Sequence, residues 1–234
     1  MKKRIRELLF VILTAVCAVA VVLLGKGYIR SVQVQENLPV EKAVTVYTSG
    51  KDYVSFEELD PDFVHAVVAV EDKRYFERSG PDFIAMCRAI YKNLLYKRPV
   101  EGGSTIPQQI AKNLWFVGTE RGLDEKIAEV FLMGKLQDKY TKEELLALYA
   151  NMNYYGDGYW GIGQASRGYY STGPDQLSVA QAAMLAGIPN APGIYQLSTG
   201  HDLAVQRQRK VLQRMLAEGY LTEAEYQEAL NEAV

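Results

Sequence analysis

Residues Leu8 to Leu24 form an unbroken run of seventeen residues without a charge, and Lys2, Lys3, Arg4 and Arg6 stand just before it. At about 1.5 Å of rise per residue such a helix is about 26 Å long, the short end of what crosses a hydrocarbon core. Ile5 and Gly25 can extend it slightly. The cationic flank predicts a cytoplasmic amino terminus, with everything after the span on the outer face. Three other readings compete with an anchor. A cleavable signal peptide could use Ala18-Val19-Ala20, but cutting there leaves Val21 to Leu24 at a new terminus. A lipoprotein signal fits less well, because Val16 precedes Cys17. A buried core helix must explain four flanking cations and an apolar surface on all sides. Residues 1–30 are therefore expected to be a basic tip and transmembrane anchor.

Residues 31–50 read as a polar connector containing a short strand, Ala43 to Tyr47, before the Ser49-Gly50 turn. Residues 51–234 read as one mainly α domain. Asp60-Pro61 is an N-cap followed by proline in the first helical turn, and Phe63, Ala66, Val67 and Val70 then fall at i, i+3, i+4 and i+7. Asp82 can cap a helix with Phe83, Met86, Cys87 and Ile90 on one face. Asp124 is expected to start a helix that turns Ile127, Val130, Phe131 and Gly134 inward, with Glu129 at the rim of the core. Thr141 with Glu144, Ser178 with Gln181, and Thr222 with Glu225 form capping boxes. Hydrophobic residues make up 48% of the chain, enough for one core, and disorder is not expected. With 26 Lys plus Arg against 28 Asp plus Glu there is no basic stripe, so nucleic acid is not an expected partner. A disulfide between Cys17 and Cys87 is not expected.

Chemistry can be narrowed by residue type. Only His65 and His201 are present, neither near a Gly-x-Ser-x-Gly turn, and no metal-ligand cluster or Walker loop occurs. His65 is expected to be a surface or packing residue. Carboxylate chemistry remains. Glu71-Asp72-Lys73-Arg74-Tyr75-Phe76 ends an apolar helix with two acids beside aromatic rings that could desolvate one of them and raise its pKa. From this segment alone a solvated helix end with surface ion pairs is the better reading, because such ends are common. Gly102-Gly103-Ser104-Thr105 followed by Pro107-Gln108-Gln109 reads as a helix cap. Arg88, Lys112, Arg121 and Lys126, taken singly, read as surface charges.

Five collinear segments nevertheless give the chain a resemblance. They are Ala69-Val70-Glu71-Asp72 onward, Gly102 through Gln108-Gln109 to Lys112-Asn113, Lys126 to Glu129, Gly161-Ile162 to Tyr170, and Leu177 to Pro192. The sequence resembles the peptidoglycan glycosyltransferases of glycosyltransferase family 51, similar to the transglycosylase domain of class A penicillin-binding proteins. With the chain ending at Val234, the expected form is the monofunctional one.

The resemblance implies a lysozyme-like helical fold that polymerises lipid II into β-1,4 glycan strands with inversion and release of undecaprenyl diphosphate. It places the catalytic base at Glu71 and the second essential glutamate at Glu129. It assigns donor contacts to Arg88, Lys112, Arg121 and Lys126, and cleft-lining polar positions to Ser104, Gln108, Gln109 and Asn113. It also implies a divalent cation, Mg or Mn, at the diphosphate, with no organic cofactor. The expected partners are lipid II, the growing glycan chain, the lipid bilayer, and cell-wall synthases or division proteins. The expected location is the bacterial inner membrane, by a single pass.

The sequence departs from the family pattern at Tyr75, Arg78, Pro107, Glu125 and Gln137. Arg78 stands where the family carries His, and Glu125, where it carries Arg, lowers the positive potential near Lys126. Two alternatives therefore stay open: a weakened or inactive member acting as a cell-wall scaffold, and a lytic muramidase of similar fold.

Overall fold

The computed structural model describes residues 2–97, 102–119 and 122–233. Helix α1 runs without interruption from Lys2 to Asn37, 36 residues or about 54 Å. That exceeds a hydrocarbon core, so the helix must protrude from any bilayer it spans. Its most apolar 18-residue window has a mean hydropathy of 3.0 and none of it is buried in the protein. The expected connector is thus a correction: residues up to Asn37 continue the anchor helix. The expected strand is a second one, since Val40–Thr48 is helix α2. Val40, Ala43 and Val44 are buried at i, i+3 and i+4, and this helical periodicity outweighs the β-branched composition that suggested a strand.

The rest is also helical: α3 Pro61–Glu71, α4 Phe83–Tyr96, α5 Ile106–Trp115, α6 Leu123–Lys139, α7 Lys142–Met152, α8 Ile162–Tyr170, α9 Val179–Gly187, α10 Pro192–Tyr195, α11 Leu197–Ala217 and α12 Glu223–Asn231. Among the described residues there is no strand, only an isolated bridge between Tyr154 and Trp160. The anticipated caps form. Asp60 accepts from the Asp62 amide at 2.9 Å, Asp82 accepts from the Ala85 amide at 2.7 Å, and the capping boxes at Thr141, Ser178 and Thr222 are all present. Each satisfies amides that the first turn of a helix leaves without an internal partner.

Helix α7 lies at the centre, with every residue from Leu145 to Ala150 buried, as expected of a helix apolar on all sides. Helix α9 lies against α3 and α11. Its buried Ala180, Ala182, Ala183, Ala186 and Gly187 let the helices approach closely and so bring α11 alongside the end of α3. His65 stacks on Tyr220 with ring centroids 4.5 Å apart, a packing role. Cys17 and Cys87 are free thiols.

Helix α6 corrects a further expectation. Its buried face is Ala128, Glu129, Leu132, Met133 and Leu136, not the Ile127 stripe. Ile127 and Phe131 face α1 instead: a Cβ on Gly27 would lie 2.4 Å from Ile127 Cγ2, and Tyr28 meets Phe131 edge-on at 5.5 Å. The stripe is the seat of the anchor helix.

Candidate active site

The site starts at the carboxyl end of α3, where Glu71 and Asp72 point in different directions. Asp72 is buried, and its Oδ2 accepts both the Ile106 amide, at 3.2 Å, and Nη2 of Arg78. The first bond ties the end of α3 to the first turn of α5. Burial pushes the Asp72 carboxyl above the ordinary carboxylate value, and the Arg78 guanidinium pulls part of that shift back. The desolvated acid of this pair is therefore Asp72. Tyr75 and Phe76 do not build the wall anticipated around Glu71: the Tyr75 hydroxyl donates to the Lys142 carbonyl at 2.6 Å, and Phe76 packs against Tyr75.

Arg78 also donates to the Gly80 carbonyl and lies 3.7 Å from Asp82, which Arg74 holds as well. The departure from the family's histidine is thus part of a buried ionic lattice joining α3, the following loop and the cap of α4.

Glu71, with its side chain 14% exposed, remains reachable from solvent. Oε2 accepts from Nε2 of Gln109 at 2.7 Å, and Oε1 lies 3.6 Å from Nη2 of Arg207. Tyr149 lies beneath. Its phenol is buried, and burial followed by the Glu71 charge drives its pKa well above the ordinary value, so it stays protonated. The carboxylate is therefore fixed from α5 and α11 while one edge faces out.

Arg207 is absent from the expected set, yet the sequence carries a signal for it. Ala204, Gln208, Val211, Leu212 and Met215 form the buried stripe of α11, and Arg207 falls within that stripe at i+3 from Ala204. A cation placed among core positions needs a partner; here the partner is Glu71.

On α5, Gln109, Lys112 and Asn113 share one face at i, i+3 and i+4. Nδ2 of Asn113 donates to Asn153 Oδ1 at 3.4 Å. Gln108 is placed differently from a cleft-lining residue. It is 1% exposed, and its Oε1 accepts from the Thr105 amide at 2.9 Å in the box that caps α5.

A second cluster forms just before α5, where Ser104 meets α6. Lys126 donates from Nζ to Ser104 Oγ at 2.7 Å and to Glu129 Oε2 at 2.6 Å. Glu129 is fully buried, not at the rim, because it projects with Leu132 and Met133 and not with the Ile127 stripe. The Lys126 side chain is 41% exposed: the buried Glu129 carboxylate holds the ammonium on one side while part of the side chain remains open to solvent. Arg88 is an exposed residue of α4, and Arg121 lies outside the described residues.

The two clusters are linked through the first turn of α5, where Thr105, next to Ser104, and Gln109 are one helical turn, about 6 Å, apart along the axis. One cluster presents a carboxylate and the other an ammonium. Among the described residues no group of three His, Cys, Asp or Glu gathers as metal ligands, and Glu129 is already paired with Lys126. These residues do not form a cage for a divalent ion, and no step below runs through one.

Comparison with known proteins agrees with the five motifs. The transglycosylase family model matches residues 39–216. The chain is 39% identical over 187 residues to penicillin-binding protein 1A of Aquifex aeolicus, covering 80% of this chain and 26% of that protein. It is 38% identical over 181 residues to penicillin-binding protein 1A of Escherichia coli, covering 77% and 21%. The chain thus spans about a quarter of the length of these relatives. A transglycosylase-type protein of Cupriavidus necator is 37% identical over 195 residues, covering 83% of this chain and 84% of that protein. The matched span holds both clusters described above, and the chain belongs to the transglycosylase family.

Proposed function

We propose that the protein is a membrane-anchored peptidoglycan glycosyltransferase that polymerises lipid II. The observation that carries this reading is the pairing of an oriented, reachable carboxylate, Glu71, with a partly exposed ammonium, Lys126, held at the start of α5. Glu71 takes the proton of the acceptor sugar's 4-hydroxyl as that oxygen forms its bond to C1 of the donor chain. The C1–O bond to the diphosphate breaks, and its electron pair leaves on undecaprenyl diphosphate. Attack from the face opposite the leaving group inverts C1 and yields a β-1,4 link. Lys126, supported by Lys112 and Arg88, stabilises the charge that develops on the diphosphate. Gln109 and Arg207 hold Glu71 in one orientation, so little reorganisation is needed when the acceptor arrives.

The anchor supports the same reading, because a polyprenyl substrate and its enzyme confined to one surface meet more often than in bulk. Lys2, Lys3, Arg4 and Arg6 favour a cytoplasmic amino terminus in the bacterial inner membrane and a catalytic domain on the outer face. Phe83, Ile84, Tyr91, Leu94 and Leu95 of α4 are all exposed. A helix this apolar on its open face suits contact with the bilayer, through which the lipid tail reaches the cleft. The departures at Arg78 and Glu125, which made an inactive scaffold conceivable, are absorbed into ion pairs that leave Glu71, Lys126 and Glu129 in place.

The test is to incubate the purified protein with lipid II in detergent and analyse both products. Polymer that a β-1,4-specific muramidase digests to disaccharide-peptide, with one undecaprenyl diphosphate released per link, is the expected result. A folded protein that yields neither product, beside an active control enzyme, would overturn the proposal.

A further inference from the structure

The anchor helix does more than tether the domain. Its extramembrane turns dock on α6, the helix that carries Lys126 and Glu129. Gly27 and Ser31 are buried in that contact, and Gly27 lies so close that an added Cβ would overlap Ile127 and come within 3.2 Å of the Ala128 amide nitrogen. Those two residues lie between Lys126 and Glu129. Farther along, Lys135 donates to Gln35 Oε1 at 3.1 Å, and the Trp115 indole donates to the Leu38 carbonyl at 2.8 Å, which ties the end of α5 to the same segment. At the first turn of α6, Glu125 Oε2 caps the Gly122 amide at 3.0 Å while its Oε1 lies 3.6 Å from Arg30 Nε. The Arg30 guanidinium also lies 6.0 Å from the centre of the Phe116 ring. Arg30 and Glu125 are 36% and 12% exposed, so this pair is better shielded than an ordinary surface bridge.

We propose that the Arg30–Glu125 clasp and the Gly27 seat make the anchor a positioning element for the donor side of the site. Because α1 is one continuous helix, the clasp joins the membrane span rigidly to the first turn of α6. It thereby sets where the Lys126 ammonium stands for a diphosphate whose lipid tail lies in the same bilayer. Arg30 and Glu125 are positioning residues; neither touches substrate. The inference rests on the proposed polymerase function and adds the part that sets donor affinity.

The test uses the full-length protein reconstituted in vesicles containing lipid II, with Arg30→Glu, Glu125→Arg, and the two combined. Each single variant places like charges together and is expected to raise the KM for lipid II about fivefold to tenfold, with kcat changed less than twofold; the melting temperature should stay within about 2 °C of wild type for Arg30→Glu and fall by about 1–8 °C for Glu125→Arg, which also loses the Gly122 cap. The combined reversal restores opposite charges and is expected to return KM to within about twofold. Gly27→Leu, which wedges the seat open, should raise KM in the same way without touching either charge. Singles that match wild type in KM, a combined variant that fails to recover, or losses of kcat that track a fall in melting temperature would overturn the inference. A wild type that makes no polymer overturns the function itself, and an active wild type with unaffected variants overturns only the clasp.

Discussion

Replacing Arg78 with methionine removes one partner of the buried pair at the end of α3. The Asp72 and Arg78 side chains are 2% and 14% exposed, so the stranded carboxylate cannot turn to solvent without opening the contact between α3 and α5. Breaking such a pair from one side costs about 3–5 kcal/mol. For a chain of this size each kcal/mol lowers the melting temperature by about 2–4 °C, which gives an expected fall of about 6–20 °C. The pH dependence has a definite sign. Asp72 already has a raised carboxyl in the fold, with burial as the main cause, and losing Arg78 raises it further. A carboxyl with a raised folded pKa binds more protons folded than unfolded, so stability falls as pH rises from the unfolded value of about 3.9 through the folded one. Thermal unfolding followed by circular dichroism should therefore show a larger loss at pH 8 than at pH 5. Adding Asp72→Asn, which keeps an acceptor for the Ile106 amide and removes the charge, should recover at least half of it. A fall below about 2 °C, or one that shrinks as pH rises, would refute the reasoning.

Gln109→Leu removes the 2.7 Å hydrogen bond to Glu71; a bond to a charged group is worth about 1.5–3 kcal/mol, so kcat on lipid II should drop about tenfold to a hundredfold. Arg207→Ala should lower kcat about fivefold to tenfold with KM little changed, and Arg207→Lys should recover part of it, as measured by initial rates of glycan synthesis. Gly161→Ala should lower the melting temperature by about 2–12 °C: Gly161 has φ +78° and ψ 154°, a region that costs other residues about 1–3 kcal/mol. Its new Cβ would also lie 2.9 Å from the Asn151 carbonyl oxygen.

The caps were legible because a cap is a local bond between neighbours. Asp60, Asp82 and Thr141 announce their helices whatever the rest of the chain does. The choice of buried face was not always legible. On α6 the stripe at Ile127 and Phe131 is a good apolar face, but it belongs to the anchor, and only the tertiary fold tells that seat from the core face at Leu132 and Met133. The same limit hid the role of Glu129, since one step around a helix separates rim from interior. Glu71 was found from motif resemblance, and its partner Gln109 lay in the same set. Arg207 lies 136 positions farther along the chain, and its meeting with Glu71 depends on how α3, α9 and α11 pack against one another. Residues 43–47 misled because valine and threonine favour strands, whereas burial of Val40, Ala43 and Val44 on one side selects a helix.

The central claim is that Glu71 is the base. It is tested most directly by the single-site rate of glycan polymerisation with Glu71→Gln, a substitution that keeps shape and hydrogen-bonding capacity while removing the proton acceptor. The rate should fall by about 10²-fold or more, with the melting temperature and lipid II binding close to wild type. A folded variant that polymerises lipid II within about threefold of wild type would contradict the assignment.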